Sequence, residues 1–236
     1  MDRESIDPFF FPKEASSIPE WRVEENLVPY NVALNYMEER AKAIRKENAR
    51  EFIWLLEHPP LYTAGTSAKE ADLLEANKLP VFQTGRGGQY TYHGPGQRII
   101  YVLLDLKKRR TDIRAFICCL EQWIINTLME FGLKAVRRED RVGVWIPHIK
   151  KNNFPLTDAC QEKKIAAIGI RIRNFVSTHG IALNISPDLN HYKGIVPCGL
   201  TNYGVTSLQD LGIEKNLQDV DIVLKEKFQP IFGAIS

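Results

Sequence analysis

"KIAAIGIRIRNFVSTHGIALNIS", residues 164–186, is the stretch on which the fold turns. Ile168, Ile170 and Ile172 occupy alternate positions and so share one face of an extended segment at 164–173. Lys164 has the same parity and is expected to point towards that apolar side. After Asn174 the chain runs into "FVSTHGIALNIS" at 175–186, a second extended run. Two strands joined with no room for a crossover helix pair antiparallel.

Further strands are predicted at 133–138 and 142–146, and at 81–84 and 97–106 on either side of a glycine-rich loop. "EFIWLLEHPP", starting at Glu51, reads as a buried strand stopped by two prolines. Helical spacing of Tyr30, Ala33, Leu34, Met37, Ala41 and Ile44 predicts a helix over 29–50. Ile113, Phe116, Ile117, Leu120, Ile124, Leu128 and Phe131 predict another over 112–132, with Gly132 as its stop. A last helix fits 217–232. Strands cluster with little alternation of strand and helix, so the predicted class is α+β: a mixed, largely antiparallel sheet with packed helices. The 236 residues suit a single catalytic domain over 1–236. An irregular arm rich in proline and aromatics is expected at 1–20, and a polar insertion loop at 148–163.

Hydrophobic residues make up 44% and charged residues 25%, and the net charge is only +2. That balance argues for a folded domain and against a broad nucleic-acid surface. "KKRR" at 107–110 and the pair Arg137–Arg138 read as a solvated turn and a strand edge. "MDRES" carries no apolar segment of a secretory signal, and no apolar run approaches the roughly 18 residues that span a membrane. The cysteines, Cys118, Cys119, Cys160 and Cys198, form no C-x-x-C and no zinc-like spacing. The expected setting is a reducing cytoplasm with free thiols, without membrane or nucleic-acid partners.

"GRGGQYTYHGPGQ", residues 85–97, concentrates backbone freedom where something must approach closely. A P-loop would need Gly-Lys followed by Ser or Thr, which is missing here. A dinucleotide fingerprint would need a glycine where Tyr90 stands and a helix where a strand follows. What remains is a wall of amides and small residues suited to a slender apolar ligand, with Arg86 and His93 as polar handles. In "KGIVPCGLTNYGVTSL", residues 193–208, Cys198 lies between Pro197 and Gly199. Reactive thiols occupy such turns, but so do inert ones. Cys118 and Cys119 read as packing residues of a helix, and Cys160 as incidental.

Together and in this order, "EHPPLYTAGT", "RGGQYTYHGPGQ", "KIAAIGIRI", "HGIALN" and "PCG…TSL" resemble the lipoyl (octanoyl) transferases, over about 29–208. The resemblance implies a fold like the catalytic domain of biotin and lipoate protein ligases. It implies transfer of an octanoyl group from octanoyl-acyl carrier protein to a specific lysine of lipoyl domains, those of 2-oxoacid dehydrogenase complexes and the glycine cleavage H protein. Cys198 would be the acyl-thioester nucleophile and Lys164 the lysine that activates it, with no ATP, metal or other cofactor. Lys164 would not be chosen on residue type alone, because a lysine at a strand start is usually a solvated cap. The acyl-chain pocket would be formed by Arg86, Gly87, Gly88, Gln89, Tyr90, Thr91, Tyr92 and His93, by Ala167, Ile168 and Gly169, and by Gly180, Ile181 and Ala182. Gly169 and Gly180 would leave room for the alkyl chain, Tyr92 would pack to shape the tunnel, and His179 would support the site.

The chain departs from the family pattern at Asn174–Phe175, where a tryptophan is usual, at Tyr101–Val102, where a proline often follows, and in a longer connection from Trp145 to Lys164. Two other readings stand beside the first. One is an ATP-dependent lipoate or biotin ligase on the same fold. The other is a non-catalytic module that binds acyl carrier or lipoyl domains.

Overall fold

A computed structural model of the chain describes residues 3, 6–14, 18–147, 162–197 and 203–236. The two runs that open the sequence reading become β8 (Lys163–Arg173) and β9 (Val176–Asn184), paired antiparallel with Gly169 opposite Gly180 and Ala167 opposite Ala182. Asn174 and Phe175 both take positive φ at the turn between them. β9 pairs antiparallel with β6 (Gln97–Leu103), and β6 with β2 (Phe52–Leu56). β1 (Glu20–Val23) lies parallel to β2 at one end of the sheet. At the other end β7 (Val144–Ile146) and β10 (Gly204–Val205) both pair with the start of β8, β7 antiparallel and β10 parallel. A second sheet holds β3 (Leu61–Ala64) between β4 (Val81–Gln83) and β5 (Tyr90–His93).

The pleat sorts the side chains of the large sheet onto two faces. Ile100, Val102, Ile181 and Leu183 pack in the larger core with α2 (Ile113–Glu130) and α3 (Leu217–Phe232). Ile99, Tyr101 and Ala182 pack instead with Ala33, Met37 and Ile44 of α1 (Tyr30–Lys46). Asp112 caps α2 by accepting from Ala115 N–H at 3.0 Å, and Asn216 with Asp219 forms a capping box on α3.

Several expectations need correcting. Residues 133–138 do not form a strand; Val136 makes only an isolated bridge to Trp145. β1, β3, β5 and β10 were not foreseen as strands. "KKRR" is not simply a solvated turn, because Arg109 is fully buried. Its guanidinium donates to Glu51 and to the carbonyls of Phe10 and Phe232, tying the N-terminal arm and the end of α3 to the sheet. Most of the 148–163 insertion, with Cys160, lies outside the described residues.

Candidate active site

A cavity of about 320 Å³ lies between the α1 side of β6, β8 and β9 and the small second sheet. Ala167, Ile168 and Gly169 of β8, and Gly180, Ile181 and Ala182 of β9, line it. The glycine-rich loop contributes Arg86, Gly87, Gly88 and Gln89, and β5 contributes Thr91 and His93. Tyr90 and Tyr92 do not line it. Strand alternation turns them to the opposite side, where they are buried against Tyr62, Tyr192 and Ile195. Tyr92 is thus a packing residue, but not of the cavity wall. The lining also includes Tyr30, Ser67, Ile99, Tyr101 and the segment 140–142, which the sequence reading missed. Tyr101 and Ile99 follow from the parity of β6; nothing in the sequence marks 140–142.

The glycine-rich loop is organised from within by Arg86. Its guanidinium donates to the carbonyls of Gly87 at 3.0 Å, Gln89 at 3.0 Å and Thr63 at 2.9 Å, so it serves the loop itself as much as any ligand. Gly88 adopts φ +89°, and Gly65 has no space for a Cβ, which would fall 2.2 Å from the Gly88 carbonyl oxygen. Gly87 N–H donates to Ile170 O at 3.0 Å, fastening the loop along β8.

His93 has both ring nitrogens engaged, and burial holds its pKa well below the ordinary histidine range. The network assigns its tautomer. Gln97 donates its Nε2 protons to Asn184 Oδ1 at 2.8 Å and Tyr192 OH at 2.9 Å, so its Oε1 accepts from His93 Nδ1–H at 2.8 Å. His93 Nε2 then accepts from Thr63 Oγ1 at 3.2 Å. Asn184 Nδ2 carries the network on to Thr206 O at 2.9 Å. His93 therefore acts as a neutral strut between the two sheets.

His179 takes φ +62° and lies 3.4 Å from the Tyr30 hydroxyl. Burial, helped by the charge of Arg86, lowers its pKa to about 3, so it too is neutral. Gly180 is glycine for a reason other than ligand passage. A Cβ there would sit 2.1 Å from Ile100 O, the backbone of the neighbouring strand. At Gly169 a Cβ would meet Arg86 Cδ at 3.1 Å and Gly87 O at 3.3 Å, on the cavity side.

Lys164 stands at the other end of this lining from His179, six residues before Ile170, the β8 partner of His179. It is only 8% exposed, and it faces the cavity, not the α2–α3 side on which Ile168, Ile170 and Ile172 pack. The register of β7 against β8 slips between Val144 and Trp145, and this bulge breaks the alternation that the sequence suggests. The Lys164 ammonium lies 4.7 Å over the Trp145 ring and donates to Val142 O at 3.3 Å. β10 runs beside it, with Val205 in register and Thr206 N–H donating to Lys164 O at 3.0 Å. Cys198, the other half of the expected pair, lies outside the described residues; the chain following it returns at β10, against Lys163 and Lys164. Cys118 and Cys119 are buried in α2, and burial pushes the Cys119 thiol up to about 12. Among the described residues, no group of three or more His, Cys, Asp or Glu side chains could hold a metal ion. Among them too, no helix is long and apolar enough to cross a membrane.

The fold is that of lipoate-ligase catalytic domains. The bipartite lipoate protein ligase of Thermoplasma acidophilum superposes with a TM-score of 0.64 at 16% identity, covering 90% of this chain and 83% of that one. Residues 29–229 match the lipoyl protein ligase A/B catalytic domain, and the chain belongs to that family. It is 58% identical over 225 residues to an octanoyltransferase of Chelativorans sp. (strain BNC1), covering 95% of this chain and 91% of that one. It is 57% identical over 225 residues to an octanoyltransferase of Brucella melitensis, covering 95% and 85%.

Proposed function

We propose that this chain is an octanoyltransferase that moves an octanoyl group from acyl carrier protein to a specific lysine of a lipoyl domain, the first step of protein lipoylation. The observation that carries the reading is the placement of Lys164. A buried lysine stands at one end of a cavity otherwise lined largely by small and apolar residues, beside the strand that follows Cys198. In this reading the Cys198 thiolate, stabilised by the nearby ammonium, attacks the carrier thioester. The carrier thiolate leaves with a proton from Lys164, and the octanoyl group stays on Cys198 as a new thioester. The acceptor lysine amine then attacks that carbonyl, neutral Lys164 takes the amine proton, and the Cys198 thiolate departs from the new amide. The carrier thioester arrives already activated, so this chemistry calls for neither ATP nor a metal. Lipoyl domains of 2-oxoacid dehydrogenase complexes and the glycine cleavage H protein are the proposed acceptors, in the cytoplasm.

The test is transfer without ATP. Octanoyl-acyl carrier protein alone should add one octanoyl group to the protein, mapped by mass spectrometry to the peptide of Cys198. Addition of an apo lipoyl domain should discharge it. Label on Cys118, Cys119 or Cys160 would overturn the assignment, and a strict requirement for ATP would favour the ligase reading.

A further inference from the structure

Glu121 is a buried carboxylate on α2, a helix whose other buried side chains are nearly all apolar. Its Oε1 accepts from Gly143 N–H at 3.0 Å, and its Oε2 accepts from Arg3 Nη2 at 2.5 Å. Gly143 N–H belongs to the same peptide unit as Val142 O, and Val142 O is the acceptor for Lys164 Nζ at 3.3 Å. A trans peptide is planar, with its N–H and C=O pointing opposite ways. Anchoring the N–H at Glu121 therefore aims the C=O at Lys164.

The unit has little freedom to turn. Gly143 has φ +131°, and a Cβ there would fall 2.9 Å from Ala166 O and 3.2 Å from Lys164 Cε. The peptide can lie this close to the lysine because residue 143 has no side chain. A carboxylate on one end of the peptide also polarises it, which strengthens the bond on its other end. We propose that Glu121 is a positioning residue for Lys164, acting through the Val142–Gly143 peptide and itself held by Arg3. The catalytic part of this inference rests on the octanoyl-transfer reading; the positioning of the amine does not.

The test compares Glu121→Gln made together with Arg3→Met, Glu121→Met alone, and the double variant Arg3→Met/Glu121→Met. With no Arg3 donors to face, glutamine turns its oxygen to Gly143 N–H, whereas methionine keeps the length and removes the acceptor. Arg3→Met/Glu121→Met leaves no unpaired arginine, so it decides the matter even where Glu121→Met alone fails to fold. Loss of an oriented hydrogen bond to a charged group should lower kcat for octanoyl transfer by about 10- to 100-fold in the two Glu121→Met variants, with KM for the carrier little changed. Arg3→Met/Glu121→Gln should stay within about threefold of the parent, because the acceptor survives. A second readout needs no activity: modification of Lys164 by a lysine-directed acetylating reagent, followed by peptide mass spectrometry. Its rate should rise in both Glu121→Met variants and not in Arg3→Met/Glu121→Gln. Equal loss of kcat in the Glu121→Gln and Glu121→Met variants would overturn the proposal, as would a folded Arg3→Met/Glu121→Met with parental kcat and labelling. A parent protein that transfers no octanoyl group but shows the labelling pattern would defeat the functional reading and leave the positioning intact.

Discussion

Lys164 is given two tasks that can be separated by substitution, because one needs charge and the other needs a removable proton. Its ammonium is to hold Cys198 as a thiolate, and its neutral amine is to take the acceptor's proton. Arginine supplies the charge but not the base, since its pKa lies above about 12. Methionine has similar bulk and supplies neither. Lys164→Arg is therefore expected to retain rapid alkylation of Cys198 near neutral pH while transferring almost nothing to a lipoyl domain. Lys164→Met is expected to lose both, because an adjacent cation lowers a thiol by about one to three pK units. Iodoacetamide rates against pH, measured beside octanoyl transfer, distinguish the three proteins. Parental transfer by the methionine variant would remove Lys164 from the chemistry.

At the scale of elements, β8 and β9 carry both the fold and the cavity, and their glycines divide the two duties. Gly180 faces the Ile100 carbonyl too closely for any side chain, so Gly180→Ala should overpack the centre of the sheet and cost about 2–3 kcal/mol or more. Gly169 faces the Arg86 side chain and Gly87, where a methyl needs only a shift of a few tenths of an ångström. Gly169→Ala should therefore cost less than about 1.5 kcal/mol in a urea titration while lowering octanoyl transfer more than acetyl transfer. Equal stability losses in the two variants would contradict this division. The paired strands themselves were legible, because alternation at Ile168, Ile170 and Ile172 is a strong local signal. So were the three helices, α2 and α3 with side-chain caps at Asp112 and Asn216, and α1 on its apolar stripe alone. β5 was hidden inside the glycine-rich loop, since four residues flanked by glycines leave too short a period to read. The outward turn of Tyr90 and Tyr92 follows from that strand and was lost with it. Arg109 and Glu121 were illegible for a different reason: their partners stand 58 and 22 residues away, at Glu51 and Gly143, and no local pattern announces such a pairing.

Across the whole molecule, α1, the large sheet and the small sheet meet around three histidines kept neutral by burial. His58 donates from Nδ1 to Val28 O at 2.6 Å and accepts at Nε2 from the Tyr101 hydroxyl at 2.7 Å. Burial lowers its pKa to about 4, and that of His179 to about 3. Burial also holds His93 well below the ordinary range, and charge on neighbouring His58 and Arg86 would push it lower. In the unfolded chain each titrates near 6.5. Below that value the unfolded state takes up protons that the native state refuses, so stability falls as pH drops and is regained as pH rises. For His58 the window runs from about 6.5 down to about 4, with a slope approaching 1.4 kcal/mol per pH unit. The three act over the same upper part of the range, so the cavity and the fold should be lost together under mild acid. Urea midpoints at pH 7.5, 6.0 and 5.0 should show this fall. His58→Gln isolates one contributor, because glutamine can donate to Val28 O and accept from Tyr101 without titrating. Its stability is expected to depend on pH less steeply by about one proton's worth, about 1.4 kcal/mol per unit, between pH 6 and 5. A slope identical to the parent's would mean that His58 is not neutral in the native state.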